Sequence, residues 1–482
     1  MIEEYIEKEI IRQVKLVEIL YECKELPLKN LSVRSGTSIS TIKRDFEKVT
    51  SLLKEDIQSS NLNNMYVAIR FHSTCTCYEL VKKIYQQSKF LRVCTRYLLG
   101  EENYLDIVEQ EYVSVTTAFR LKKDVENYLM VAGVLNEDKT CTNDERSFRL
   151  TVISIWMRYP FEGGVIVEQE LEQSGKLVDE LLNDLWNGST VNRREYLLLV
   201  LGVHLAINRH QDHPIQEIHG NEYLRESLAF QNIQKKLSFI FEGVHLEKNE
   251  VLFLTSLYKS IEFNSNSYMV VKMNFQYERD YVIEKQLLIQ ALIFQFEEAF
   301  QIPLLHQIIF ERPLILFCYS IWNNLQNFMM YRHHYLNAEQ LELKKKVKNI
   351  LTEWKDTQWP EEKFTFNELA VEWLTYRISA ILTLKKKKRV VFVVAESEES
   401  HILYREVLSA CFNSEYDMLD PTLYYTIDEL PEYMKKNPYI IIGERSILHE
   451  NEEKREDIFP ISVFSLQKDV KNILAANLDV IV

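Results

Sequence analysis

The sequence predicts a mostly α-helical, multidomain protein: two winged helix-turn-helix domains, two helical bundles and a small C-terminal α/β domain. Three observations predict it. Two segments 76 residues apart, Ser38-Ile39-Ser40-Thr41-Ile42-Lys43-Arg44 and Ser114-Val115-Thr116-Thr117-Ala118-Phe119-Arg120, begin helices in nearly the same way. Long amphipathic runs with short polar or Pro-containing breaks fill residues 165 to 384. Behind them the basic stretch Lys385-Lys386-Lys387-Lys388-Arg389, an exposed linker, precedes the apolar run Val390-Val391-Phe392-Val393-Val394, a buried strand.

The first copy opens with Ile10, Val14, Val17 and Tyr21 at helical spacing, with Ile11 and Leu20 beside them. Pro27 to Arg34 follows, then a break at Ser35-Gly36-Thr37 where Gly36 supplies the turn, then an amphipathic helix from Ser38 to about Leu53. Ser38 stands in the capping position. Burial of Ile39, Ile42, Phe46, Val49 and Leu53 leaves Ser40, Thr41, Lys43, Arg44 and Lys48 on the open face. Hydroxyls on a first helical turn bond phosphates and base edges, the positive end of the helix favours phosphate, and an Arg reaches guanine O6 and N7. Those five residues are therefore candidate DNA contacts. Residues 26–54 carry a local charge of +4, and Asn61 to Phe71 reads as two short strands around Asn63-Asn64, the place of a wing.

In the second copy Tyr104 to Val108 lies before the turn, and Ser114 to Val131 is the expected recognition helix, buried through Val115, Ala118, Leu121, Val125 and Leu129. A helix turns about 100° per residue, so Thr116, Thr117, Arg120, Lys122 and Lys123 cannot all face one way; Thr117, Arg120 and Lys123 are the candidate contacts. Asn136 to Arg149, ahead of the β-prone Leu150-Thr151-Val152-Ile153, is the candidate second wing. Residues 1–160 carry no net charge, so the whole formal charge of −14 belongs to the remainder of the chain. An acidic protein that binds nucleic acid must segregate its basic face in this way.

The bundles are read from runs at 167–186, 193–209, 223–242, 281–300 and 336–354, in two halves that meet near Tyr281. In the tail a helix from Ile402 to Phe412, a second strand Tyr439 to Gly443, and the segment Ile461 to Phe464 before a last helix complete a small parallel α/β unit. The expected boundaries are 1–75, 76–160, 161–280, 281–384 and 385–482. Only 11 glycines argue against glycine-lined phosphate loops, and seven scattered cysteines suit a reducing cytoplasm. Cys75-x-Cys77 lacks a second pair at metal-ligand spacing, so neither metal nor cofactor is expected. No apolar stretch of about 18 residues suggests a membrane span, and the acidic start (Glu3, Glu4, Glu7, Glu9) is unlike a signal peptide.

The order of these five parts resembles the Mga/AtxA group of virulence regulators. In that group the helical pair is similar to the phosphotransferase-system regulation domain, in which a His is phosphorylated by sugar phosphotransferase proteins. The resemblance implies that His204, in Leu197 to Arg209, is the regulatory phosphorylation candidate, with Arg209 five residues on. Three further positions depart from the pattern: Ser320 falls where a His is expected, and the stretches after Glu250 and Glu368 carry none. The tail resembles an enzyme IIB domain, yet the loop Ala395-Glu396-Ser397-Glu398-Glu399-Ser400 lacks the phosphorylated Cys, which argues against enzymatic phosphotransfer. The expected function is a cytoplasmic transcription regulator, an activator of virulence or metabolic genes and not an enzyme. Its expected partners are double-stranded DNA, a second copy in a homodimer, RNA polymerase and phosphotransferase phosphocarrier proteins, with no membrane. An RNA-binding antiterminator and a phosphotransferase component enzyme are the alternatives.

Overall fold

Apolar spacing near the N-terminus becomes helix α1 (Lys8–Cys23), which buries Ile10, Val14, Leu16, Val17, Ile19 and Leu20. In this computed structural model every residue is described except 101–102, 162–165, 187–190, 217–221, 241–245, 266, 284–286, 359–364, 385–388, 412–416, 432–438, 450–454, 456 and 479–482. Strand β1 (Glu25–Pro27) leads into α2 (Leu28–Ser35), and α2 ends on Gly36 at φ +62°, the left-handed conformation that favours glycine. Helix α3 (Ile39–Leu52) then buries Ile42, Phe46 and Val49, as the stripe requires. Strands β2 (Ile57–Leu62) and β3 (Tyr66–Phe71) form the expected hairpin. Asn63 Oδ1 makes its turn by accepting the backbone N–H groups of Met65 (2.7 Å) and Tyr66 (2.8 Å). The sheet is antiparallel in the order β1-β3-β2, with Ala68 opposite both Glu25 and Asn61. Leu16, Leu20, Leu31, Ile42, Phe46, Val67 and Ile69 join its layers in one core, each such side chain contributing about 1.5–3 kcal/mol by leaving water. A buried Asp45 takes both ends of the Arg12 guanidinium, at 2.8 and 3.2 Å, and so locks α1 across α3.

A capping box of Thr76 and Glu79 starts α4 (Cys77–Tyr85), and α5 (Lys89–Leu98), α6 (Tyr104–Glu111), α7 (Val115–Val131) and α8 (Glu145–Arg158) follow. Tyr112, at φ +49°, turns the chain between α6 and α7. Helix α4 packs against both α1 and α8, so the helices around α3 and those around α7 are joined through it. Glu7 strengthens the joint by accepting from Ser88 Oγ at 2.6 Å and from the N–H groups of Lys89 and Phe90 at 2.9 and 3.1 Å.

The second wing is absent. Leu150-Thr151-Val152-Ile153 lies within α8, which Asp144 caps at Ser147 N (3.0 Å) and which buries residues around its whole circumference. A fully enclosed helix accepts β-branched residues on every face, and tertiary burial overrides their strand preference. Of the segment before it, one antiparallel bridge remains, Leu135 to Cys141. Val115 is corrected as well: it is 55% exposed, because the first turn of α7 stands in solvent and burial begins at Ala118.

The expected helical middle comprises α9 (Glu168–Trp186), α10 (Arg193–Arg209), α11 (Glu222–Arg225), α12 (Leu228–Ile240), α13 (Lys248–Lys259), α14 (Tyr268–Val282), α15 (Leu287–Phe300), α16 (Ile308–Trp322), α17 (Ala338–Gln358) and α18 (Glu368–Leu384). Two runs differ from expectation. The run at 223–242 breaks at Ser227, between α11 and α12, and Tyr281 falls in the last turn of α14 rather than opening a helix. Helix α14 is hidden in the sequence because Tyr268, Met269, Met273 and Tyr277 are apolar residues on its exposed side, which blurs the stripe.

Buried ion pairs hold this region. Arg149 of α8 pairs with Glu250 of α13 (Nη2 to Oε1, 3.1 Å), and Glu250 also accepts the Ile215 N–H at 3.0 Å. His333 donates from Nδ1 to Glu18 of α1 at 2.7 Å and from Nε2 to Glu3 at 2.9 Å. Burial alone would lower the His333 pKa, but the two carboxylates raise it to about 10. Burial alone would raise Glu3, but His333 and Arg158 bring it down to about 2. The chain divides into two compact units, residues 1–299 with 303–377, and residues 378–482 with 300–302.

The second unit carries β4 (Arg389–Val394), α19 (Glu398–Cys411), β5 (Asp417–Leu419), β6 (Tyr439–Glu444), β7 (Ile458–Ile461) and α20 (Leu466–Leu478). Its sheet is parallel in the order β5-β4-β6-β7, with Val391 beside Ile440 and Gly443 beside Pro460. One face packs Val391, Val393, Ile440 and Ile442 against Tyr404 and Leu408 of α19 and Ile473 of α20; the other packs Phe392 and Ile441 against Tyr424 and Ile458. Of the segment Ile461 to Phe464, Ile461 ends β7, and Ser462 caps a 3₁₀ turn over Val463–Ser465. The basic run Lys385–Lys388 and Phe412 lie outside the described residues. Among the described residues no helix is long and apolar enough to cross a membrane.

Candidate nucleic-acid interface

The two helix starts singled out in the sequence share one geometry. Ser38 Oγ accepts the Thr41 N–H at 3.2 Å and lies 2.9 Å from Thr41 Oγ1. Ser114 Oγ accepts the Thr117 N–H at 3.3 Å and lies 2.9 Å from Thr117 Oγ1. In both, the cap satisfies one of the N–H groups left open at a helix start and the hydroxyls cluster at its positive end. Ser40 and Arg44 are exposed on α3, as are Arg120 and Lys123 on α7, while Thr41 and Thr117 are half-buried beneath their caps.

The lysines of α3 are engaged. Lys43 Nζ donates to Asn64 Oδ1 at 2.9 Å, which joins α3 to the turn between β2 and β3. Lys48 is paired with Glu9 of α1, and the Glu9 pKa is lowered chiefly by that hydrogen bond. Arg44 forms no ion pair among the described residues and is the most available cation on this face. On α7 the pattern diverges: Phe119 replaces Lys43 and is 62% exposed. Sequence reasoning passed over Phe119 and Tyr112, which is 92% exposed. The signal was present for Phe119, since a helix buried through 118, 121, 125 and 129 leaves position 119 outside the stripe. Lys122 leans on Glu126 at 3.7 Å, which Lys139 also reaches at 2.7 Å.

His204 is far from a surface acceptor. It is 1% exposed on α10, its Nε2 lies 3.5 Å from the Val167 N–H, and both ring nitrogens are 3.3 Å from Asn208 Nδ2. Arg209 does not attend it: its guanidinium holds Glu145 at 2.6 and 2.8 Å and lies over the Phe148 ring. Ser320, at the position where a second His is expected, is buried and donates to the Phe317 carbonyl at 2.6 Å. Of the neighbouring histidines, His210 closes α10 and His213 is exposed, whereas His219 lies outside the described residues.

In the tail the loop after β4 is organised by Glu444. Its carboxylate accepts the Glu396 N–H at 2.8 Å, Ser400 Oγ at 3.2 Å and the Tyr404 hydroxyl at 3.0 Å. A carboxylate at the head of this loop disfavours a phosphoryl group there. Burial pushes the Cys77 thiol up to about 12, the opposite of an activated nucleophile. Among the described residues no group of three or more His, Cys, Asp or Glu side chains is placed to hold a metal ion. No protein-family model matches the chain, and no curated protein sequence matches it.

Proposed function

We propose that the chain is a DNA-binding transcription regulator that inserts α3, α7 or both into the major groove of double-stranded DNA. The observation that carries this reading is the repeated helix start: a Ser cap, hydroxyls on the first turn and an exposed Arg on the second, each at the second helix of a helix-turn-helix. The first reader adds a wing fixed to its recognition helix by Lys43; Arg44 on α3 and Arg120 on α7 are the cations for base or phosphate. In this reading the protein acts in the cytoplasm as a homodimer that engages RNA polymerase, with the bundles and the α/β unit controlling assembly. Phosphocarrier proteins join the list of partners only if α10 opens, because His204 is buried where it stands.

A gel shift with a random duplex pool against structured RNA, each across a salt series, tests the reading. Duplex selection with a salt slope that becomes shallower in Arg44→Ala and Arg120→Ala is the expected outcome. Preference for RNA would favour an antiterminator. Phosphoryl transfer from a phosphocarrier onward to a sugar would mark a phosphotransferase component instead.

A further inference from the structure

A cavity of about 520 Å³ lies within the first compact unit, bounded by α1 and α4, the start of α10, the stretch from Met329 to His334 and one side of α18. That volume suits a small molecule. Arg193, Arg194, Arg332 and Arg377 line it. Arg194, Arg332 and Arg377 are paired with Glu195, Glu22 and Glu262, whereas Arg193 has no carboxylate partner among the described residues and lies 5.9 Å from the Tyr196 ring centre. The positive end of α10 opens onto the same space, since Asn192, Arg193, Arg194 and Glu195 are all in its wall.

Two buried polar atoms of the lining residues have no hydrogen-bond partner among the described residues: Nε2 of His334 and Oε2 of Glu195. Leaving such an atom unsatisfied costs about 1–3 kcal/mol, and each calls for an explanation. The His334 ring is held in place, stacked 4.3 Å from Tyr376, with its backbone N–H on Glu372 at 3.0 Å. Its imidazole is brought down to about 4 by burial, then by the positive charges of Arg332, Arg377, His333 and Arg194, so it stands neutral in a cationic field. One part of the wall is suited to an anion and lacks a hydrogen-bond partner at an imidazole; another part has a carboxylate oxygen without a donor.

We propose that this cavity binds a small hydroxylated phosphate ester, with the phosphate on Arg193 and His334 and a hydroxyl donating to Glu195. A phosphate fits better than a carboxylate because it offers more acceptor oxygens and up to two charges to the guanidinium and the helix start together. Glu18 and Tyr21 of α1 share the wall, so occupancy touches the helix on which the first reader is built.

The test is isothermal titration of the full chain with glycerol 3-phosphate, ribose 5-phosphate and adenosine monophosphate, with inorganic phosphate and glycerol alongside. At least one ester should bind saturably at one site per chain, and Arg193→Gln and His334→Phe should each weaken it by about tenfold or more, equivalent to about 1.4 kcal/mol. Arg193 is exposed, so its substitution keeps the test valid even if His334→Phe fails to fold. Failure of all three esters to bind with a Kd below about 1 mM, or binding that Arg193→Gln leaves unchanged, overturns the proposal. Inorganic phosphate binding as tightly as every ester would refute the hydroxyl contact to Glu195. None of these outcomes depends on whether the chain binds DNA.

Discussion

His333→Ala should be among the most damaging single substitutions in the chain. The wild-type imidazolium lies between two carboxylates, Glu18 at 2.7 Å and Glu3 at 2.9 Å, with Arg158 a further 3.6 Å from Glu3. Its removal leaves the buried Glu18 with no other ion-pair partner among the described residues and Glu3 with Arg158 alone at 3.6 Å. Removing one partner of a buried ion pair costs about 3–5 kcal/mol. The pH dependence carries a matching signature. His333 has its folded pKa raised from 6.5 to about 10, so its contribution is complete below pH 6.5 and is lost as pH rises through about 10. Glu3 has its folded pKa depressed from 4.5 to about 2, so its contribution is present above pH 4.5 and is lost as pH falls toward 2. Urea unfolding of wild type and variant at a series of pH values should show the gap widest between pH 4.5 and 6.5 and narrowing above. The double variant His333→Leu with Glu18→Gln should recover part of the loss, since a neutral amide replaces the stranded charge. A variant within about 0.5 kcal/mol of wild type throughout, the range of ordinary surface substitutions, would refute the reasoning.

Arg44→Ala and Arg120→Ala should each weaken duplex binding by about 1–3 kcal/mol if they contact bases, while Lys48→Ala should change it less because Glu9 already engages that lysine; fluorescence anisotropy on one duplex compares the three. Gly202→Ala should destabilise by about 1–3 kcal/mol through overpacking, because a Cβ there would collide with the fully buried Leu257, and thermal melts read it directly. Truncation after Leu384 should leave the first compact unit, residues 1–299 with 303–377, folded, and should move the protein toward monomer in sedimentation if the α/β unit carries the dimer interface.

Local chemistry was legible where one residue type decides the backbone. Ser38 and Ser114 cap as their positions demand, Gly36 adopts the left-handed turn, and Asn63 shapes the hairpin that the sequence placed beside it. The stripe of α3 and the apolar run of β4 were equally plain, because period and burial agree. The wing expected after α7 failed because Leu150 to Ile153 carries strand chemistry inside a helix that is enclosed on all sides, a fact about its neighbours and not about itself. Strand β5 is three residues long and gives no period to detect. The junction of His333 with Glu3 spans 330 residues of sequence, and the cavity beside it is assembled from widely separated stretches of chain; neither leaves a local pattern to read. For the interface, the residue types were visible, but which lysines were already engaged was not, since Lys43 and Lys48 find partners in the wing and in α1.

If α3 and α7 both read DNA, the direct packing of α4 against α1 and α8, tightened by Glu7 across Ser88 and Phe90, makes the spacing between the two readers a property of the protein rather than of its partner. On DNA such a pair works as a ruler. Successive faces of the duplex recur about every 10.5 base pairs, so inserting five base pairs between the two half-sites should turn one of them away from its reader, whereas inserting a full helical repeat restores the phase without restoring the distance. Both insertions should therefore reduce binding to that of a single reader, and a protein with a loose tether would tolerate the second.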